Sequence, residues 1–289
     1  MMGKISVVMT AYNAENTIAE AIESVLKQSF ADFEFIIVND GSTDNTRSII
    51  ESYHDKRIRL IDSDHNYIQS LNTGVKTATG KYIARHNADE IMHIDRLKLQ
   101  YAVMEEYPEI TVCSNWEIVF REKMPKRISE QKISGLLELP LVQLLIDNIT
   151  INSAYTMRRS FITENHLLYE NCVYAEDYKF CVEATKLNGG IYIDSQPLVY
   201  KRADDTKISR NRRLEKLDSQ LKIKKEIIPF LCKKYEGTYP VLSALYALYI
   251  EMLNQKLISE EDLFILFHSL FMKNKETFKN LDSNQKQAI

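Results

Sequence analysis

Gly80-Lys-Tyr-Ile-Ala-Arg-His-Asn-Ala-Asp-Glu90 changes character partway along its length. Tyr82, Ile83 and Ala84 follow a glycine that breaks whatever precedes it, and they read as a strand. Asn87, Asp89 and Glu90 make a polar end with too few apolar residues to prolong that strand. In an α/β protein, ligands sit at the carboxyl ends of strands, so acids delivered there mark a candidate site. A hard oxygen ligand of this kind, shared with a substrate diphosphate, suits Mg²⁺ or Mn²⁺. A polar turn after an edge strand is the other reading of the same residues.

Working outward, Ile5 to Met9 is a continuous β-rich run, the pattern of a strand buried on both faces. Thr10-Ala-Tyr-Asn13 leaves it, and Asn16-Thr17 precede a helix carrying Ile18, Ala21, Ile22, Val25 and Leu26. Phe33 to Val38 is a second buried strand. It runs into the loop Asn39-Asp-Gly-Ser-Thr-Asp44, where Gly41 permits an unusual backbone and Ser, Thr or Asp can cap the next helix. Ile58 to Ile61 is a third strand, followed by a helix near Ile68 to Ala78, interrupted at Gly74. This alternation predicts an α/β fold with a mostly parallel central sheet flanked by helices and joined by right-handed crossovers.

Farther on, a helix is expected from Ile94 to Tyr107, and strands over Ile110 to Ser114 and Trp116 to Phe120. A helix over Ser134 to Ile146 is expected to be broken or bent at Pro140. Ser153 to Met157 reads as a strand, Glu176 to Leu187 as an amphipathic helix closed by Gly189-Gly190, and Gly190 to Asp194 and Leu198 to Lys201 as short strands. A boundary near residue 206 divides a domain over 1–205, whose halves are about 1–110 and 111–205, from a helical carboxy-terminal region over 206–289. There Tyr239 to Leu253 is apolar nearly all round, which predicts burial. Asn254 to Leu263 differs only at its first residue from a widely used epitope tag and is taken as coincidence.

The 289 residues are 45% hydrophobic and 27% charged, ordinary for a globular protein, and a formal net charge of -3 gives no reason to expect nucleic acid. Cys113, Cys172, Cys181 and Cys232 lack CxxC spacing, so neither a zinc site nor a disulfide framework is indicated. No leader peptide and no transmembrane run is legible, which predicts a cytoplasmic protein. A nucleotidyltransferase is disfavoured, because no Gly-rich, Lys-containing loop follows the first strand.

At the ends of the first two strands, the Tyr12 ring can stack on a planar base and the Asp40 carboxylate can accept the imino proton of uracil or guanine. Loop packing by Tyr12 and helix capping by Asp40 are the plainer alternatives. Four blocks weigh against them: VVMTAYN, VNDGSTDNT, ATGKYIARHNADE and AEDYKF. In this order, over about 4–205, they resemble the family 2 glycosyltransferases of the GT-A fold. The resemblance implies an inverting transfer of sugar from a UDP-sugar to an acceptor hydroxyl, in cell-surface polysaccharide or glycoconjugate synthesis.

It also implies roles. Thr10, Ala11, Tyr12 and Asn13 would line the nucleotide site, with Asp40 on the base and Asp44 structural. Asn87 and Ala88 would face ribose or diphosphate, and Asp89 would bind Mg²⁺ or Mn²⁺. Asp177 would be the catalytic base, with Glu176 and Glu90 in supporting roles; an acidic first helical turn is the plainer reading of Glu176-Asp177. The helix dipole would keep Asp177 ionised. These roles require Asp40, Asp89 and Asp177 to meet around one cleft.

Asn87 replaces the first acid of the family's D-x-D, Ala203 a frequent His and Leu71 a frequent Arg. Arg85, His86, Lys201 and Arg202 are nearby cations, read either as compensating at the diphosphate or as surface charges. The departures leave a second function open, that of a catalytically weak nucleotide-binding or scaffold subunit. The acceptor is expected to be a saccharide or lipid-linked saccharide. Apolar faces in the last helices would be covered by a homodimer or by peripheral contact with the cytoplasmic face of a membrane.

Overall fold

The computed structural model describes residues 4–121, 124–129, 133–203 and 209–287. In chain order the elements begin β1 (Ile5–Ala11), α1 (Ile18–Leu26), β2 (Phe33–Asp40), α2 (Thr46–Glu51), β3 (Ile58–Ser63), α3 (Tyr67–Thr77) and β4 (Tyr82–Asn87). Next come β5 (Ile91–Met92), α4 (Arg96–Glu106), β6 (Ile110–Arg121), β7 (Met124–Ser129), β8 (Gly135–Leu136) and α5 (Pro140–Ile146). A short 3₁₀ turn (Asn152–Ala154), β9 (Thr156–Arg158), α6 (Arg159–Glu164), α7 (Glu176–Lys186) and β10 (Gly190–Arg202) follow. The chain closes with α8 (Ser209–Tyr235), α9 (Val241–Asn254), α10 (Glu260–Lys273) and α11 (Lys275–Gln287).

These elements make two compact units. One contains Met1–Leu136, Thr150–Asn171 and Gly189–Ser209; the other contains Leu137–Ile149, Cys172–Asn188 and Arg210–Ile289. Two segments assigned by sequence to the amino-terminal domain, with α5 and α7, therefore belong to the same unit as the last helices.

In the first unit the sheet runs β3-β2-β1-β4-β9-β6-β10-β5. β1 pairs parallel with β2 and β4, and β2 with β3, as the βαβ alternation predicts. Every residue of β1 is buried, because helices cover both faces of a parallel sheet and leave no side for water. α3 is not interrupted at Gly74. A Cβ there would fall 2.3 Å from Val8 Cγ1 of β1, so the glycine lets the helix approach the sheet. Gly74→Val should therefore destabilise the protein by about 2 kcal/mol through overpacking, read as a lower urea midpoint.

Several elements depart from expectation. Asn115 joins the two expected strands into the single β6, fully buried because Gln100 Nε2 donates to its Oδ1 at 3.0 Å. β10 likewise runs unbroken, absorbing Pro197 through register shifts against β6. Pro140 does not bend a helix; it starts α5, after Leu139 in the left-handed region (φ 50°). Asn188, not glycine, takes the left-handed position after α7 (φ 65°).

In the second unit, Tyr178 of α7 donates to the carbonyl oxygen of Leu144 in α5. Tyr235, Phe271 and Phe278 cluster with centroids 4.6–5.8 Å apart. Burial of α9 is corrected: Leu242 is its buried residue, since Tyr246 and Tyr249 pack edge-on to Phe267 while Val241 and Leu248 stay exposed. The tag-like segment has a structural use. Ser259 and Asp262 form a capping box that starts α10, and Leu263 is buried behind it.

Candidate active site

β1 and β2 end side by side, with Ala11 opposite Asn39, and Thr10 faces Asn87 across the β1–β4 ladder. Three strand ends thus bring Thr10, Ala11, Asp40 and Asn87 to one edge of the sheet. Thr10, Ala11 and Asp40 lie within the strands, not in the loops after them. Tyr12 follows β1 and is 45% exposed. Asn13 takes a left-handed backbone (φ 46°), and its Oδ1 accepts from the Thr43 amide at 2.9 Å. Asp44 accepts from the amides of Glu15 (3.1 Å) and Thr46 (3.0 Å), tying the two loops together.

Asp40 is 2% exposed. Its Oδ1 accepts from the Asn66 amide at 2.8 Å and the Ser70 hydroxyl at 2.6 Å. Asn66 also caps α3, so the helix start holds the carboxylate in place. His65 stacks on Tyr12 with centroids 3.9 Å apart and planes 22° from parallel. Sequence reasoning missed His65 and Ser70: nothing in their spacing reveals that the β3–α3 connection folds back over β2.

At the end of β4, Asn87 Nδ2 donates to Glu90 Oε1 at 3.1 Å and its Oδ1 accepts from Arg85 Nη2 at 3.2 Å. Ala88 and Glu90 are buried; Asp89 is exposed. Burial first, then the Asp89 charge, pushes the Glu90 carboxyl up to about 7 against the pull of Ser153, Lys201 and Asn87. Its Oε2 has no partner. Arg85 and His86 are fully buried, so neither is a surface charge. Burial and the neighbouring Arg96 and Arg85 hold His86 neutral, far below its usual range. Lys201 pairs with Glu117 at 3.6 Å and Arg202 with Glu20 at 2.6 Å. Leu71 is fully buried packing, and the Ala203 amide bonds the Phe120 carbonyl.

Among the described residues no three His, Cys, Asp or Glu side chains group as a metal cage. One exposed carboxylate, Asp89, fits a Mg²⁺ or Mn²⁺ that takes its other ligands from a diphosphate and water.

In the second unit, Glu176 and Asp177 open α7, and Asp177 is buried. Asn148 Nδ2 donates to its Oδ2 at 3.2 Å. Desolvation raises the Asp177 carboxyl above its usual range, opposed by Lys216 of α8 and by the Tyr178 amide. Burial therefore acts on Asp177 against the helix end, which favours its ionised form.

A family model described as Glycosyl transferase family 2 matches residues 6–169. The chain is 33% identical to an uncharacterized glycosyltransferase of Haemophilus influenzae, over 80% of this chain and 75% of that one. It is 28% identical to the UDP-Glc:alpha-D-GlcNAc-diphosphoundecaprenol beta-1,3-glucosyltransferase WfgD of Escherichia coli, over 58% and 73%. Among solved structures, S. aureus TarS in complex with UDP aligns with a TM-score of 0.61 at 22% identity, over 82% of this chain and 73% of that one. The structural likeness shows the fold.

Proposed function

Because the chain belongs to glycosyl transferase family 2, we propose that it moves the sugar of a UDP-sugar to a saccharide hydroxyl with inversion, in the building of a surface polysaccharide. The observation that carries this reading is the shared edge of β1, β2 and β4. It brings Thr10 opposite Asn87 and buries Asp40 with one oxygen already saturated. The Tyr12 face takes the base and Asp40 Oδ2 its imino proton. Asn87 and Ala88 approach the ribose and diphosphate. Asp89 would hold a divalent ion, which supplies charge stabilisation to the departing diphosphate.

Asp177 takes the proton of the acceptor hydroxyl as its oxygen bonds to the anomeric carbon. The bond from that carbon to the diphosphate oxygen breaks, and UDP leaves with the electron pair. Attack from the face opposite the leaving group inverts the centre. A raised carboxyl makes Asp177 a stronger base than an ordinary aspartate. The Escherichia coli relative, by its name, glucosylates a diphosphoundecaprenol-linked GlcNAc, which supports a lipid-linked saccharide as acceptor. No described helix is long and apolar enough to cross a membrane. Leu214 and Leu217 of α8 and Leu248 of α9 are exposed, which leaves apolar side chains for a membrane or a second copy to meet.

The test is UDP release from a panel of UDP-sugars with saccharide acceptors, with and without Mn²⁺. Release should require a UDP-sugar and be stimulated by the metal. Asp89→Ala should lower kcat/KM about 10²-fold or more and abolish most of that stimulation. Equal turnover with and without metal in both proteins would reject the role of Asp89.

A further inference from the structure

Asp40 has one carboxylate oxygen left over. Oδ1 is taken by Asn66 and Ser70, and the group is 2% exposed. His65 Nδ1 lies 3.5 Å from Oδ2 and donates to the Asp40 carbonyl oxygen at 3.2 Å. The same imidazole lies flat against Tyr12, with centroids 3.9 Å apart. A planar heterocycle therefore already rests on Tyr12 with an N–H turned toward Asp40. The stacking face is the one assigned above to the nucleotide base, and the imidazole holds it while bonded to the Asp40 carbonyl oxygen, beside the carboxylate assigned to the base.

Two rings stacked at 3.9 Å admit no third ring between them; an intercalated base needs roughly 7–8 Å. On this face of Tyr12, base and imidazole exclude each other. Gly41 helps seat the imidazole. Its backbone is left-handed (φ +70°), and a Cβ there would lie 3.1 Å from the His65 amide nitrogen. His65 sits between β3 and α3 with its side chain 59% exposed, so it can swing into solvent.

We propose that His65 is a built-in occupant of the base subsite, which the donor's base must displace to reach Tyr12 and Asp40. This rests on the assignment of Tyr12 and Asp40 to the base. Displacement sets a threshold for binding. Uracil offsets the lost contact, because its imino N–H bonds the Asp40 Oδ2 that the imidazole leaves 3.5 Å away. A base that presents a lone pair at that edge, such as cytosine, meets the carboxylate acceptor to acceptor and recovers nothing. His65 thus keeps weak nucleotides out of a site whose exposed Tyr12 face would stack any base.

The experiment is calorimetric titration of the full chain with UDP and with CDP, using His65→Ala, Tyr12→Ala and Asp40→Asn beside the unchanged protein. His65→Ala should bind UDP about three- to tenfold tighter, the worth of one aromatic contact, and bring CDP binding closer to the measurable range. Tyr12→Ala and Asp40→Asn should both weaken UDP. If those two weaken UDP while His65→Ala binds it equally or less tightly, the occupant role is wrong and the base subsite stands. If neither Tyr12→Ala nor Asp40→Asn alters UDP binding, the subsite itself is misassigned. An NMR titration supplies a readout independent of affinity. The His65 ring proton, identified by its loss in His65→Ala, should start upfield under the Tyr12 ring current and move downfield as UDP saturates. A resonance unmoved at saturation overturns the proposal.

Discussion

Asp177→Asn is expected to slow sugar transfer by about 10²–10⁴-fold while leaving UDP affinity unchanged, the usual worth of a positioned general base. The substitution is nearly isosteric. Asparagine keeps an oxygen for the Asn148 amide to donate to, as it does to Asp177 Oδ2 at 3.2 Å. It keeps the volume at the buried second position of α7. What it removes is the charge and the ability to take a proton. The wild-type carboxyl lies above the ordinary value of 3.8 because desolvation outweighs Lys216 and the Tyr178 amide. With Asp177 as the proposed base, the ionised form is the one that can take the proton, so wild-type rate should rise with pH along a limb above the usual aspartate range. The residual rate of the Asn variant should lack that limb. Turnover by UDP release and UDP binding by calorimetry separate the two effects, and an undiminished rate would assign the proton to another group.

The parallel half of the sheet was legible because burial on both faces leaves a local trace. Ile5 to Met9 and Phe33 to Val38 are apolar at successive positions, and period-two alternation is absent where no face meets water. Where a polar residue is satisfied by a distant partner, the trace fails. Asn115 reads as a strand break but lies fully buried on Gln100, and Asn39 and Asp40 read as loop but complete β2. α9 failed in the opposite sense, since apolar content does not say how much of a helix its neighbours cover.

The candidate site divides the same way. Tyr12, Asp40, Asn87 and Asp89 are legible as candidates because strand ends carry ligand chemistry. His65 was invisible because its role depends on a loop crossing from β3 to β2. Arg85 and His86 read as exposed by residue type, yet β4 turns both inward. Glu90 follows Asp89 directly, but one side chain meets water and the other is buried. The acids are plain in the sequence; only the packing separates the exposed one from the buried one.

That difference makes Glu90→Gln a stabilising substitution whose size depends on pH. Glu90 is 3% exposed, and its carboxyl is pushed from 4.5 to about 7. Between those values the folded chain holds a proton that the unfolded chain has released. The unfolded state then binds fewer protons, so stability falls as pH rises through this window and levels off above about 7. At about 1.4 kcal/mol for each pH unit of the window, the ionised Glu90 costs about 3 kcal/mol at pH 8. Glutamine escapes that cost. Its carbonyl oxygen still accepts from Asn87 Nδ2, and its amide fills the place of the unpartnered Oε2. Urea unfolding of the two proteins should therefore nearly coincide at pH 4 and separate by about 3 kcal/mol at pH 8, with Glu90→Gln the more stable. Parallel curves across that range would mean that Glu90 ionises as readily in the folded chain as in the unfolded one. Burial beside Asp89 would then carry no electrostatic cost, and the contrast between an exposed Asp89 and a buried Glu90 with a raised carboxyl would fall with it.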